Sequence, residues 1–65
     1  MKIDPEYGVV TEAEVGDSVW DDLLGRNSVV VRVSADEYGN VGYWLDNEYL
    51  GGGRFPWEIS PPIHQ

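Results

Sequence analysis

The sequence predicts one small all-β domain, a twisted and largely antiparallel barrel of five strands. Residues 28–35 and 41–46 each alternate apolar and polar side chains, which is the period of a strand with one buried face. Eight glycines and four prolines divide the chain into short pieces, and no stretch of a dozen residues carries the apolar stripe of a helix. We expect a single domain over residues 1–65, with its core at 15–59 and a short N-terminal extension.

The segment at 11–24 is ambiguous between strand and helix. Val15, Val19 and Leu23 recur at helical spacing, but Gly16 interrupts that stripe. We therefore predict a strand that follows a turn at Gly16, with at most one short turn of helix at its end.

The two alternating segments form a predicted β-hairpin. Residues 36–40, Asp-Glu-Tyr-Gly-Asn, join them, and Gly39 or Asn40 can adopt the positive φ that a tight turn requires. If the alternation is regular, one face of the hairpin is apolar. The residues predicted to face the core are Val29, Val31, Val33, Val41, Tyr43 and Leu45.

Glycine and proline dominate the C-terminal part. The glycines at 51–53 predict a flexible break. Residues 54–59 can hold a short strand and a tight turn, in which Pro56 excludes a central strand at its own position. The Pro-rich tail at 60–65 is expected to pack across the barrel or to fray.

Four short motifs follow one another in a familiar order: Gly-Asp-Ser-Val at 16–19, Leu-Gly-Arg at 24–26, Gly-Asn-Val at 39–41 and Phe-Pro-Trp-Glu-Ile at 55–59. This order resembles the small SH3-like barrels, including KOW-type modules and the short stand-alone versions of bacteria and their phages. The resemblance implies the fold. KOW-type modules carry a glycine after the Gly-Arg pair where this chain has Asn-Ser at 27–28, and that departure argues against their RNA or polymerase role.

The chain is strongly acidic. Twelve acidic residues against four basic ones give a formal charge of −8. The cations, Lys2, Arg26, Arg32 and Arg54, form no stripe, so direct binding to DNA, RNA or an anionic membrane is disfavoured. A basic protein partner is favoured instead, or a protein surface that normally holds nucleic acid. Solubility alone is an equally good explanation of the charge.

No residue pattern predicts catalysis, so we expect a protein that is not an enzyme and has no catalytic, cofactor-binding or metal-binding residues. The only histidine, His64, lies in the tail, where a catalytic geometry is hard to hold. Asp21, Asp22 and Asp46 could supply a carboxylate pair, but with twelve acids some pair falls close by chance. The loop from Asp36 lacks the spacing of a calcium loop.

The expected location is the cytoplasm of a bacterium or of a phage-infected host. The chain contains no cysteine, which fits a reducing compartment. Its first six residues lack the apolar stretch of a signal peptide, and no apolar run approaches the length of a membrane span.

The aromatic residues suggest how the module acts. If the hairpin pairs as predicted, Trp44 points outward beside Arg32, next to the loop of Tyr38. The alternative for Trp44 is that it packs under the N-terminal segment or the tail. For Trp57, which follows Pro56, we predict a structural role at the closure of the barrel. The candidate partner-binding residues are Trp44, Tyr38, Arg32, Asp46, Glu48, Asp21 and Asp22.

These observations favour a small acidic protein-binding module, and the form we expect is a phage or mobile-element protein that binds and inhibits a host protein. Its sharpest form is nucleic-acid mimicry, in which carboxylates replace phosphates. The carboxylates considered for this role are Glu12, Glu14, Asp17, Asp21 and Asp22. The alternatives are a non-inhibitory accessory subunit of a larger complex, or an SH3-like nucleic-acid-associated module. The sequence predicts no particular oligomeric state.

Overall fold

The computed structural model describes residues 1–47 and 49–63 and contains no α-helix within them. In this part of the chain seven strands follow one another, with a 3-10 helix before and after the sixth. The strands are β1 (Lys2–Ile3), β2 (Val10–Glu12), β3 (Ser18–Asp21), β4 (Arg26–Ala35), β5 (Val41–Leu45), β6 (Gly53–Arg54) and β7 (Ile59–Ser60), and the 3-10 helices are Tyr49–Gly52 and Pro56–Glu58. No helix of the described residues is long and apolar enough to cross a membrane.

Five of the strands form one antiparallel sheet in the order β6-β5-β4-β3-β7, and the sheet curls into a half-barrel. Strands β1 and β2 pair with each other in a separate two-stranded sheet. The prediction of an all-β domain with five antiparallel strands is therefore confirmed, and so is the hairpin, which consists of β4 and β5.

Strand β4 belongs to both halves of the curled sheet. Its first residues, from Arg26 to Val29, pair with β3, whereas the pairing with β5 runs from Val30 to Ala35. At the start of the part that pairs with β5 the register shifts, because Val30 lies opposite Leu45 while Arg32 already lies opposite Trp44, the neighbouring residue of β5. Val31 is the extra residue of a β-bulge, which bends the strand.

The bulge overturns part of the predicted core. Val30 is fully buried, whereas Val29 and Val31 are 38% and 51% exposed, so the assignment of these two valines to the core is wrong. Val33 is also exposed, at 38%, although it lies opposite buried Tyr43. Val29 is exposed because its neighbours Ser28 and Val30 face the core, and Val31 is exposed because it is the extra residue of the bulge.

The core itself is small. Tyr43 and Leu45 are buried as predicted, and Val41 is half-buried against them. The hydroxyl of Tyr43 accepts a hydrogen bond of 3.3 Å from the backbone N–H of Ala13, which ties the segment after β2 to the sheet. The buried apolar residues are Val10, Ala13, Val19, Val30, Tyr43, Leu45 and Ile59.

The ambiguous N-terminal segment forms a strand, as predicted, and residues 22–25 form a turn rather than a helix. The hairpin loop also follows the prediction, with φ of 82° at Gly39. Its order comes from Asp36, whose Oδ1 accepts hydrogen bonds of 2.9 Å from the backbone N–H groups of Tyr38 and Asn40. The hydrogen bonds to this carboxylate hold the loop in one conformation.

In the C-terminal part the predicted flexible break is wrong, whereas the tail packs, which is one of the two expected alternatives. The glycines do not form an open break: Gly52 is buried with φ of 77°, and a Cβ there would lie 2.6 Å from the carbonyl oxygen of Asn47. The tail packs as far as Ile63, whose backbone N–H and C=O both bond to the side chain of Asn27, at 3.0 and 2.6 Å. His64 lies outside the described residues.

Candidate functional site

A buried ion pair lies inside the curl of the sheet. The guanidinium of Arg54 in β6 meets the carboxylate of Asp21 in β3 through two hydrogen bonds of 2.9 Å, Nε to Oδ1 and Nη2 to Oδ2. Both side chains are inaccessible to solvent. In a flat sheet, β6 and β3 would lie about 14 Å apart, three strand spacings, so the two side chains meet only because the sheet curls.

Neighbouring groups complete the hydrogen bonding of this pair. Asn47 donates to Oδ2 of Asp21 at 3.1 Å and to the hydroxyl of buried Ser28 at 3.0 Å. The backbone N–H groups of Leu23 and Leu24 donate to Oδ1 of Asp21. Among the described residues, no buried side-chain polar atom lacks a partner.

The protonation of the pair follows from these contacts. Burial alone would raise the pKa of Asp21, but the hydrogen bonds from Arg54, Leu24, Leu23 and Asn47 outweigh it and hold the pKa below its usual value. The bond to Asp21 raises the pKa of Arg54 against the opposing effect of burial. Both groups therefore stay charged at neutral pH and hold the sheet in its curled form.

The assignment of Asp21 to a partner-binding surface is wrong, because no atom of its side chain reaches the surface. The sequence contained a signal for this. Val19 and Asp21 are two residues apart on one strand, so a buried Val19 places Asp21 on the same inward face. The distant partner Arg54 had no local signal.

Trp44 and Arg32 lie together on the opposite face of the hairpin. The guanidinium carbon of Arg32 is 5.2 Å from the centroid of the Trp44 ring, within the range of a cation–π contact. The half-buried indole lies flat over two glycines, because a Cβ on Gly42 would approach it to 3.0 Å and one on Gly53 to 3.6 Å. The sheet itself thus forms the floor beneath this ring.

The most exposed aromatic pair is one that the sequence reasoning missed. Phe55 and Trp57 stack with their ring centroids 4.7 Å apart and their planes at 11°, and they are 53% and 75% exposed. Glu58 fixes the turn between them, since its carboxylate accepts the N–H of Phe55 at 2.9 Å and its own N–H bonds to the carbonyl of Phe55. We call this stacked pair the aromatic ridge.

Depressions border the ridge on several sides. One, with a cavity volume of about 430 Å³, lies between the ridge and the hairpin loop, with Asp36 and Asn40 on its far side. A second depression on the other side of Trp57 includes Asp22. A third runs from Phe55 to Trp44. The ridge is therefore a raised apolar feature with a carboxylate on each side of Trp57.

The other predicted contact residues are dispersed. Tyr38 is 81% exposed at the hairpin loop. Asp46 is exposed and accepts the backbone N–H of Val29 at 3.1 Å, and Asp22 is exposed and accepts the hydroxyl of Ser60 at 2.8 Å. Glu48 lies outside the described residues.

Within residues 1–47 and 49–63, no group of three or more His, Asp or Glu side chains is arranged to hold a metal ion. No protein-family model matches the chain, and the comparisons with curated proteins and with solved structures found no significant similarity.

Proposed function

We propose that this chain is a small acidic protein-binding module of the SH3-like type, and that it contacts its partner with the aromatic ridge. The observation that carries the proposal is the stacking of Trp57, 75% exposed, on Phe55, 53% exposed. Large aromatic side chains at the centre of an interface supply most of its binding energy. A ridge already fixed by Glu58 loses little conformational freedom on binding.

The order of the five sheet strands and the long β4 that joins both halves support the SH3-like assignment. In that arrangement the ridge lies in the turn between β6 and β7, beside the hairpin loop. The third depression extends the surface to Trp44, whose ring is in contact with Arg32, so these two predicted contact residues lie at its edge.

Charge selects the partner. The formal charge of −8 speeds encounter with a basic protein and opposes nucleic acid and anionic membranes. Asp36 and Asp22, on either side of Trp57, place negative charge next to the apolar contact. We infer a partner that presents an apolar surface surrounded by lysine or arginine.

The biological form we favour is a phage or mobile-element protein that inhibits a basic host protein in the cytoplasm, because an acidic surface can occupy a site that normally holds nucleic acid. Of the five carboxylates considered for nucleic-acid mimicry, that of Asp21 is buried and cannot contact a partner. A second, Glu12, is engaged by Lys2 at 3.2 Å, in an exposed ion pair.

The test is selection of binders from a random peptide display library, followed by affinity measurement on variants. We expect the selected peptides to be basic and to contain an apolar residue. Trp57→Ala should weaken their binding by about 30-fold, the effect of removing an interface hot spot. Tyr38→Ala is the matched control, because it removes an equally exposed aromatic ring outside the ridge. If no selected peptide depends on Trp57, the proposed surface is wrong.

A further inference from the structure

One edge of β4 is open beyond the bulge. The N–H of Asp36 bonds to the carbonyl of Asn40 at 3.0 Å, so the backbone of Asp36 faces β5. Because backbone groups alternate along an antiparallel strand, Arg32 and Ser34 also face β5, whereas Val33 and Ala35 face away from it. No backbone hydrogen bond from the described residues reaches those two.

The side chains along this edge leave it accessible. Val31 and Val33 are 51% and 38% exposed, and Ala35 is also exposed. An accessible edge with unpaired N–H and C=O groups is a template for another strand. The bulge at Val31 limits the available length, so the edge offers hydrogen bonds at two residues rather than along a whole strand.

Charge along the edge is self-complementary. Arg32 and Asp36 are four residues apart with Ser34 midway between them, and Asp36, the first residue after β4, continues the backbone alternation because its N–H still bonds to the carbonyl of Asn40. In an antiparallel pair related by a two-fold axis at Ser34, each Arg32 lies directly opposite Asp36 of the other strand. The same register places Val33 opposite Ala35, the two residues whose backbone groups are unpaired.

We propose that a second copy of this chain is the strand that pairs with the open edge of β4, about a two-fold axis at Ser34. The interface is isologous and joins the two sheets into one. Each copy contributes the backbone groups of Val33 and Ala35 and one Arg32–Asp36 contact. Asp36 keeps capacity for this contact, since its loop uses three hydrogen bonds of the roughly four that a carboxylate accepts.

The pairing is expected to be weak. The edge is short, and two copies with a formal charge of −8 each repel one another. At physiological ionic strength screening acts over about 8 Å, which weakens that overall repulsion more than the direct Arg32–Asp36 contacts. Association should therefore appear at high protein concentration, and it does not involve Phe55 or Trp57 of the aromatic ridge.

The experiment is sedimentation equilibrium at physiological salt up to millimolar protein, on the unsubstituted chain, two variants and a mixture of those variants. We expect dimer for the unsubstituted chain and monomer for both Arg32→Glu and Asp36→Lys, because each variant sets like charges opposite one another. An equimolar mixture of the two variants restores both opposite-charge contacts and should form a heterodimer. Melting curves establish that each variant is folded.

Matched controls separate register from net charge. Arg26→Glu makes the same charge change as Arg32→Glu in the part of β4 that is already paired with β3, and Glu37→Lys makes the same change as Asp36→Lys one residue away. Both controls should still dimerise. A monomeric unsubstituted chain, dimerisation of Arg32→Glu, loss of dimer in Arg26→Glu, or failure of the mixture to associate would each overturn the proposal. The rings of Phe55 and Trp57 are unchanged in all of these variants, so dependence of peptide binding on Trp57 is tested separately.

Ala35→Pro tests the backbone directly. It removes an N–H that faces the open edge and takes nothing from the β4–β5 hydrogen bonds. We expect a reduction in dimer at unchanged charge. Full dimerisation of this variant would contradict pairing through the edge.

Discussion

The two faces of the five-stranded sheet each hold an arginine in contact with another side chain, and the two arginines have opposite roles. Arg54 makes two hydrogen bonds to Asp21 with no solvent access, whereas Arg32 lies over Trp44 at the surface. Burial is the difference. An inaccessible charge must be fully hydrogen-bonded, so Arg54 is fixed in one structural role, while Arg32 stays available for contact with another molecule.

The largest effect that we expect is the difference in stability between the variants that replace Arg54 and Arg32. Arg54→Ala leaves the Asp21 carboxylate buried and unpaired, and we expect a loss of about 3–5 kcal/mol of unfolding free energy. A domain of this size has a total stability in the same range, so thermal melting followed by far-UV circular dichroism should show a largely unfolded chain. Arg32→Ala should lose less than about 1 kcal/mol. Equal losses for the two variants would contradict the comparison.

Substitution of Gly52 should give the second largest loss of stability, because Gly52 lies against Asn47, which bonds to the buried ion pair. Gly52→Ala combines positive φ with a Cβ 2.6 Å from the carbonyl oxygen of Asn47, so we expect a loss of about 1–3 kcal/mol. Gly51→Ala is the control, because φ there is also positive, at 75°, but its Cβ meets nothing within 4 Å. Urea denaturation should rank Gly52→Ala clearly below Gly51→Ala, and the reverse order would mean that the contact with Asn47 is not limiting.

Trp44 and Trp57 should also differ in how much they stabilise the domain, with the more buried ring contributing more. Trp44 is half-buried over the sheet, and Trp44→Ala should remove about 1–2 kcal/mol, seen as a melting temperature lower by several degrees. Trp57→Ala should change stability by less than about 0.5 kcal/mol, because its ring is 75% exposed. If Trp57→Ala destabilises the domain as much as Trp44→Ala, the ridge is part of the fold and its role in binding loses support.

The smallest effect that we expect is the loss of folding stability in acid to which Asp21 and Asp36 contribute. Hydrogen bonds from Asn40 lower the pKa of Asp36, as the Arg54 and backbone contacts lower that of Asp21 against the effect of burial. Because the folded-state pKa lies below the unfolded value of about 3.9, each group adds stability that is complete above about pH 5 and is lost as pH falls below 4. Asp36→Asn should make this loss shallower. Carbon-13 titration of the aspartate carboxyl groups checks both pKa values, and a pKa of Asp21 at or above 4 would contradict the ion pair.

The sequence was informative wherever a local rule applied. The hairpin, its turn at Gly39 and strand β3 follow from alternation and turn chemistry. Valines occupy 29, 30 and 31, so alternation alone does not identify which of them faces inward, and the bulge decides it. Local rules gave no account of the contact between Asp21 and Arg54, which are 33 residues apart.

The aromatic ridge was missed for a different reason. A phenylalanine and a tryptophan two residues apart lie on the same side of a strand, but their role depends on the 3-10 helix at Pro56–Glu58, which presents the rings to solvent. Sequence composition indicated that aromatic residues carry the function without showing which of them are accessible. Exposure is set by the packing of the whole chain.

The division of β4 between two neighbours has a consequence for how the domain opens. Since Arg26–Val29 pair with β3 and Val30–Ala35 with β5, neither half of the sheet can detach without removing the hydrogen bonds of one side of this strand. The amide of Val30, which bonds to Asp17 at the junction and belongs to a fully buried residue, should then exchange with solvent only in the globally unfolded chain. The amides of Val33 and Ala35, a few residues further along the same strand, should exchange orders of magnitude faster.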